Sequence, residues 1–126
     1  MKESHKEIIT GLAEQLKEIF NASEQAVYIY LDDTSKRCNK RFSTMLGYNS
    51  PEEWANVPES FPSAFVAEKS QLTLINAFQD AITKGRASKT KISWKTKEGG
   101  SIDTEVILVP IAYQGHLLAL HFITIL

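Results

Sequence analysis

The last third of the chain alternates between polar and apolar side chains, and this alternation constrains the fold more than any other feature of the sequence. If Ser88–Lys97 is extended, one of its faces carries Lys89, Lys91, Lys95 and Lys97. The other face carries Thr90, Ile92 and Trp94. A period of two residues is typical of a β-strand with one buried face. Glu98–Gly100 is a tight connection, so Ile102–Ala112 is predicted to run back antiparallel to this strand.

The final segment, Leu117–Ile125, is apolar on both faces. It is predicted to lie in the middle of the sheet, because both of its faces must be covered. If the preceding hairpin loop has three residues, Lys95 faces Asp103 across the two strands.

The first two thirds of the chain contain helices and one short hairpin. The spacing of apolar residues predicts a helix over Ile8–Phe20, and Gln25–Leu31 with Ser35–Cys38 is predicted to form the hairpin. Three further helices are predicted: one capped by Asn39 and ended by Gly47, one that starts at Ser50-Pro51-Glu52-Glu53, and one of about four turns marked by Leu72, Ile75, Phe78 and Ile82 and ended by Gly85. The order of helix, two strands, three helices and three strands indicates the α+β class.

Length and composition exclude several classes of protein. A chain of 126 residues fits one domain, and a formal net charge of −1 provides no field that would hold nucleic acid. A single cysteine, Cys38, forms no internal disulfide, which favours a cytoplasmic location. The N-terminal residues contain no apolar segment of signal-peptide length, and nowhere do ~18 apolar residues run together, so we expect no association with a membrane.

No residue pattern indicates a metal site or an active site. His116 and His121 have opposite strand parity, so they cannot face one metal ion together. A nucleophile elbow and a phosphate-binding glycine loop are both absent, so no enzyme activity is expected. The basic cluster is interpreted as a solvated face; it consists of Lys36, Arg37, Lys40 and Arg41.

Three strings of residues indicate a family. CNKRFSTMLGY, from Cys38 to Tyr48, is followed by the helix start at Pro51, and KEGGSIDTEVILVPI contains a glycine hairpin and the strand after it. Ile123 and Thr124 stand where a terminal strand would carry an Asp-Ile-Thr triplet, with Phe122 in the place of the aspartate. In this order the strings resemble a PAS domain, the sensory module of signalling proteins, over residues of about 23 to 126.

The resemblance implies a five-stranded antiparallel sheet in the order 2-1-5-4-3, with short helices and one long helix on one face. It makes residues 23–126 the PAS domain and residues 1–22 an N-terminal amphipathic helix that caps the domain or mediates dimerisation. It also makes Ser88–Lys97 an edge strand, where lysines oppose unwanted strand pairing.

The resemblance further implies a possible ligand cavity between the sheet and the helices. The residues expected to line it are Tyr28, Tyr30, Phe42, Leu46, Phe65, Leu72, Ile75, Ile92, Trp94, Thr104, Leu118, Leu120 and Phe122. A ligand there would be flat or oily, with polar groups supplied by Tyr28, Tyr30, Trp94 or Thr104. The alternative is a filled core without a ligand, since large apolar residues more often pack a core than line a pocket.

The identity of any cofactor stays open, but two are disfavoured. Haem is disfavoured because the long helix carries no histidine that could be an axial ligand. Covalent flavin is disfavoured because Cys38 precedes Asn39 and lies on a strand, where it is interpreted as a small buried residue.

The outer side of the sheet becomes apolar along the strand after Gly100. Water should not reach this patch, which the N-terminal helix of the same chain or a second chain could cover. The resemblance favours a homodimer. The residues of this candidate interface are Ile8, Ile9, Leu12, Leu16, Ile19, Phe20, Ile107, Val109 and Ile111.

Three functions are therefore considered. The first is a homodimeric sensory or regulatory domain that acts on a signalling effector. The effector lies in cis if the chain is an excised part of a larger sensor, and otherwise in trans. The second is a ligand-free scaffold for protein interactions. The third is a small α+β enzyme that uses Tyr30 or His121 in a cavity.

Overall fold

The secondary structure was defined in a computed structural model, which describes residues 4 to 126. The first three residues of the predicted N-terminal segment 1–22 lie outside this range. The strands are β1 (Ala26–Asp32), β2 (Ser35–Cys38), β3 (Ser88–Lys95), β4 (Ser101–Tyr113) and β5 (His116–Ile125). The helices are α1 (His5–Gln15), α2 (Lys17–Ala22), α3 (Lys40–Leu46), α4 (Pro51–Ala55), α5 (Phe61–Phe65) and α6 (Glu68–Lys84).

The strands form one five-stranded antiparallel sheet in the order β2-β1-β5-β4-β3. The predicted fold class and strand order are therefore confirmed. Strand β5, which is apolar on both faces, lies at the centre between β1 and β4. Strand β3, which carries the lysines, lies at an edge. The predicted pairing of Lys95 with Asp103 is wrong, because the loop is longer than three residues: Lys95 faces Ser101, and Ser93 faces Asp103.

Local sequence signals at the helix ends act as predicted. The Asn39 side chain accepts a hydrogen bond from the Phe42 backbone N–H at 3.0 Å, and the Ser50 hydroxyl accepts one from the Glu53 N–H at 3.0 Å. Gly47 ends α3 with φ of 89°, a conformation that favours glycine. These contacts fix the segment that carries the strongest family resemblance.

Two elements differ from the prediction. The N-terminal helix is interrupted at Leu16, whose φ of −92° and ψ of 5° separate α1 from α2. A helix that was not predicted, α5, occupies the proline-containing stretch before α6. Its proline, Pro62, lies in the first helical turn, where a missing N–H costs no hydrogen bond, so proline here marks a helix start and not an irregular loop.

The sheet has a separate core on each face. The inner core lies between the sheet and α3 to α6; its largest members are Tyr28, Phe42, Trp54, Phe61, Phe65 and Trp94. The outer core lies between the sheet and α1; its buried members are Ile8, Ile9, Leu12, Leu16, Val27, Ile29, Leu118 and Leu120. The N-terminal helix thus covers the sheet within its own chain.

Four residues expected on the inner side lie elsewhere. Leu118 and Leu120 are buried in the outer core, and Phe122 packs against it half-buried. The strand register explains this, because His121 lies opposite Tyr28 and both point to the inner face. Leu72 lies on the solvent side of α6 and is 70% exposed.

None of the helices found in residues 4–126 is both long enough and apolar enough to cross a membrane.

Candidate ligand cavity

A cavity of about 220 Å³ lies between the inner face of β1 and β5 and the helices α5 and α6. Its wall consists of Tyr28, Tyr30, Phe61, Pro62, Leu74, Ile75, Phe78, Gln79 and His121. Most of this wall is apolar, and none of these side chains is a carboxylate, a lysine or an arginine. The cavity is therefore suited to an uncharged molecule.

Tyr28 and His121 form an aromatic stack against the sheet. Their ring centroids are 3.9 Å apart with an interplanar angle of 10°, and both residues are about 1% exposed. The His121 Nδ1 atom is buried and has no hydrogen-bond partner among residues 4–126. Burial lowers the pKa of His121 to about 3, although the backbone of Tyr28 and Ala119 raises this pKa more weakly. The imidazole is therefore neutral at physiological pH.

The polar group of Tyr30 is already engaged. Its hydroxyl donates to Asp33 Oδ1 at 2.7 Å, and the Phe61 backbone N–H donates to the same oxygen at 2.9 Å. Burial, followed by the hydrogen bond to Asp33, raises the pKa of Tyr30. Tyr30 is therefore a neutral phenol that ties the β1–β2 turn to the start of α5.

Lys36 departs from the predicted solvated face. Its side chain is fully buried beneath α4, with Nζ 5.3 Å from the centre of the Trp54 ring. Nζ donates to three backbone carbonyl oxygens, those of Asp33, Ala55 and Val57. The sequence analysis grouped Lys36 with the nearby Lys40 and Arg41, which are exposed, and therefore placed it on a solvated face.

The structure brings only part of the predicted ligand set to the cavity. Tyr28, Tyr30 and Ile75 line it. Five others are fully or almost fully buried in the inner core and do not line this cavity: Phe42, Leu46, Phe65, Ile92 and Trp94. Thr104 is also buried outside it; its hydroxyl accepts from Trp94 Nε1 at 2.8 Å and donates to the Ile92 carbonyl oxygen, so both polar groups are engaged within the core.

The residues that were not predicted come mainly from α5 and α6. Leu74, Phe78 and Gln79 were missed, and they lie with the predicted Ile75 at helical spacing on one face of α6. That spacing is visible in the sequence and could have identified this face. Phe61 and Pro62 could not be identified, because no helix was predicted between the helix at Ser50 and the long helix.

Cys38 is buried at the end of β2, as predicted. Burial raises the pKa of its thiol, which disfavours the reactive thiolate. Over the part of the chain that the structure describes, no three His, Cys, Asp or Glu residues come together as a metal site would need.

A second, wider depression of about 760 Å³ lies on the surface between α2, α3 and the end of β5. Its rim carries Lys40, Arg41 and Glu24. It lies outside the inner core, where the ligand was expected.

The candidate interface residues separate into two groups. Ile8, Ile9, Leu12 and Leu16 are buried against the chain's own sheet, so they are not free to contact a second chain. Ile19 and Ile107 remain 44% and 40% exposed, whereas Phe20, Val109 and Ile111 are half-buried. The apolar residues of α1 cover β1 and β5 on the outer face of the sheet. Ile107 and Val109 of β4 lie outside this outer core.

The fold of the chain is shared with solved PAS domains. An HTR-like protein from Haloarcula marismortui contains one that is 17% identical, with 94% of each chain covered and a TM-score of 0.64. The PAS domain of nitrogen regulation protein NR(II) from Vibrio parahaemolyticus is 18% identical, with 86% of this chain and 95% of that chain covered and a TM-score of 0.60.

A sensory box histidine kinase/response regulator from Burkholderia thailandensis is also similar. It is 11% identical, with 93% of this chain and 83% of that chain covered and a TM-score of 0.62. No curated protein matches the chain in sequence. The family model described as a PAS domain matches residues 14–81, more than half of the sequence. The chain therefore belongs to the PAS domain family, whose members are generally sensory, non-catalytic modules of signal transduction.

Proposed function

We propose that this PAS domain is a sensory module that binds a small apolar or aromatic ligand in the cavity between α6 and the sheet. The observation that carries this proposal is the buried His121 Nδ1, which lacks a partner in residues 4–126 although His121 lines a cavity of about 220 Å³. Buried polar atoms in folded proteins almost always have a partner, so an unpaired one in a residue that lines a cavity favours a site where a ligand or an ordered water binds.

The experiment compares two tryptophan substitutions on α6. Leu74 is buried in the cavity wall, and Leu72, two residues away, is 70% exposed. Leu74→Trp should fill the cavity and abolish ligand uptake, whereas Leu72→Trp should leave it unchanged. Native mass spectrometry of the purified protein measures bound small molecules, and titration with aromatic fragments measures affinity.

The ligand-free scaffold is the alternative outcome. It is supported if the purified protein carries no small molecule and if fragments bind neither the wild type nor Leu72→Trp. A substrate screen that stays silent, with Tyr30→Phe and His121→Ala leaving every phenotype intact, would remove the enzyme alternative. We propose no catalytic activity for this domain.

We also propose that two copies of the chain associate through the outer face of β4 beside α2. Support comes from the exposure of Ile19 and Ile107, which lie outside the area that α1 covers. In this proposal residues 1–22 cap the PAS domain of residues 23–126 and border the contact. Sedimentation velocity tests it: Ile107→Asp should give monomers, whereas Leu72→Asp, which changes an exposed leucine on the opposite side of the sheet, should not. A wild type that stays monomeric at high concentration would contradict the dimer.

The proposed module acts in the cytoplasm and passes its signal to an effector in cis or in trans. The single buried cysteine and the absence of a membrane-spanning helix in residues 4–126 fit this location.

A further inference from the structure

We propose that the cavity selects a neutral, planar aromatic molecule of one or two rings, and that His121 recognises the one hydrogen-bonding group that this molecule carries. This inference rests on the proposed ligand-binding function and specifies the chemical class of the ligand.

The size of the cavity suits a ligand of one or two rings. At about 220 Å³, it exceeds the ~150 Å³ that is sufficient for benzene in an apolar protein cavity. It is smaller than the ~300 Å³ at which pockets for drug-sized molecules begin. A molecule of one or two rings therefore fits without movement of α6.

The wall requires a ligand without charge. Asp33, the carboxylate that contacts Tyr30, already accepts hydrogen bonds from Tyr30 and Phe61 through the same oxygen. The buried ammonium of Lys36 donates to backbone carbonyls outside the cavity wall. A charged ligand would lose its hydration without gaining an ionic partner, which strongly disfavours its binding.

The arrangement of the aromatic side chains favours a flat molecule. Tyr30 meets Phe61 and Phe78 edge to face, with centroid distances of 5.0 and 5.2 Å. On the sheet side, the rings of Tyr28 and His121 are stacked with an interplanar angle of 10° and provide a flat surface. A planar ring can extend both types of aromatic contact, which a branched aliphatic molecule cannot do.

His121 is a buried polar group available for recognition, beside the Gln79 amide and the Tyr28 hydroxyl in the same wall. Tyr30 donates to Asp33, whereas the neutral imidazole of His121 has one nitrogen that donates and one that accepts. Its Nδ1 has no hydrogen-bond partner within residues 4–126. A ligand group that pairs with the imidazole would remove the cost of an unsatisfied buried polar atom.

The test uses matched pairs of probes titrated into the full chain at pH 7.5 by calorimetry or NMR. Indole is compared with benzothiophene, which lacks the N–H donor, and quinoline with naphthalene, which lacks the nitrogen acceptor. We expect at least one hydrogen-bonding probe to bind about tenfold more tightly than its partner. His121→Phe should reduce that ratio to about one, and His121→Gln should restore part of it.

The outcomes separate this inference from the proposed function. If no probe binds the wild type, the ligand-binding function itself fails. If the probes bind but His121→Phe leaves every ratio unchanged, or if 2-naphthoate binds more tightly than naphthalene, only the inference on ligand class is overturned. Ratios near one in the wild type would also overturn the role of His121, whether or not a His121 variant folds.

Discussion

At the scale of single residues, two ionisable side chains are buried on the inner side of the domain. Lys36 lies under α4 with its ammonium bound to backbone carbonyls, and His121 lies in the middle of the sheet as a neutral ring. Each is positioned by backbone that is distant in sequence, and each has a testable effect on stability.

For His121 we predict a loss of stability in mild acid. Burial lowers the pKa of the folded-state imidazole to about 3, whereas the unfolded chain has the ordinary value near 6.5. Between these values the unfolded state binds more protons, so stability falls as the pH falls, by up to ~1.4 kcal/mol per pH unit. Urea unfolding at several pH values from 4.5 to 7.5 should show this slope, and His121→Phe should reduce it. An equal slope in both proteins would contradict the prediction.

For Lys36 we predict that Lys36→Met destabilises the domain by about 2 to 4 kcal/mol. The substitution removes a charged donor from three backbone carbonyls, those of Asp33, Ala55 and Val57. The matched control is Lys40→Met, which changes an exposed lysine of the same basic cluster and should alter stability by less than ~0.5 kcal/mol. Similar unfolding midpoints for the two variants would refute the role assigned to Lys36.

At the scale of elements, α1 is attached to the sheet by apolar and polar contacts. Its apolar residues form the outer core, and His5 Nδ1 lies 2.5 Å from Asp32 Oδ2 at the end of β1. Burial would raise the pKa of Asp32, but hydrogen bonds from His5, Ser35 and Thr34 together lower it. The Arg37 guanidinium also donates to the Thr10 hydroxyl at 3.1 Å, so α1 is joined to the β1–β2 hairpin as well as to the sheet face.

We predict that Leu12→Ala weakens this attachment and that Ile19→Ala does not. Leu12 is 2% exposed in the outer core, whereas Ile19 on α2 is 44% exposed. Leu12→Ala should cost about 2 to 4 kcal/mol of stability, against less than ~0.5 kcal/mol for Ile19→Ala. Denaturant unfolding measures both values, and hydrogen exchange should show faster opening of α1 in Leu12→Ala alone. Equal effects would mean that α1 does not contribute a core.

At the scale of the whole molecule, the central sheet has a filled core on both faces, and the N-terminal segment supplies the outer one. The family model begins at residue 14, inside this segment. The domain therefore depends on residues that precede its first strand.

We predict that deleting residues 1–22 lowers solubility or changes the oligomeric state. The deletion would expose Val27, Ile29, Leu118 and Leu120, which now pack against α1. Sedimentation of the truncated chain beside the full chain, at equal concentrations, checks this. A soluble truncated protein with the same stoichiometry as the full chain would show that the outer core is dispensable.

Most of the architecture could be predicted from local patterns. The alternation in β3, the apolar composition of β5 and the glycine hairpin predicted these strands, whereas the order of the sheet was implied by the family resemblance. The caps at Asn39 and Ser50 were predictable because each involves atoms only three residues apart. The cavity was less predictable: Tyr28, Tyr30 and Ile75 were expected there, but the register that brings His121 beside them was not.

The sequence by itself determined the antiparallel sheet, the helix ends and the family, because these depend on periodicity and on contacts between near neighbours. Only the tertiary structure decided to which side of the sheet each side chain of β5 points. Alternate residues of this strand are apolar on both faces, so hydrophobicity does not distinguish the two possible orientations. The tertiary structure also decided the burial of Lys36 and the position of α1, because both depend on backbone and side chains that are far away in the sequence.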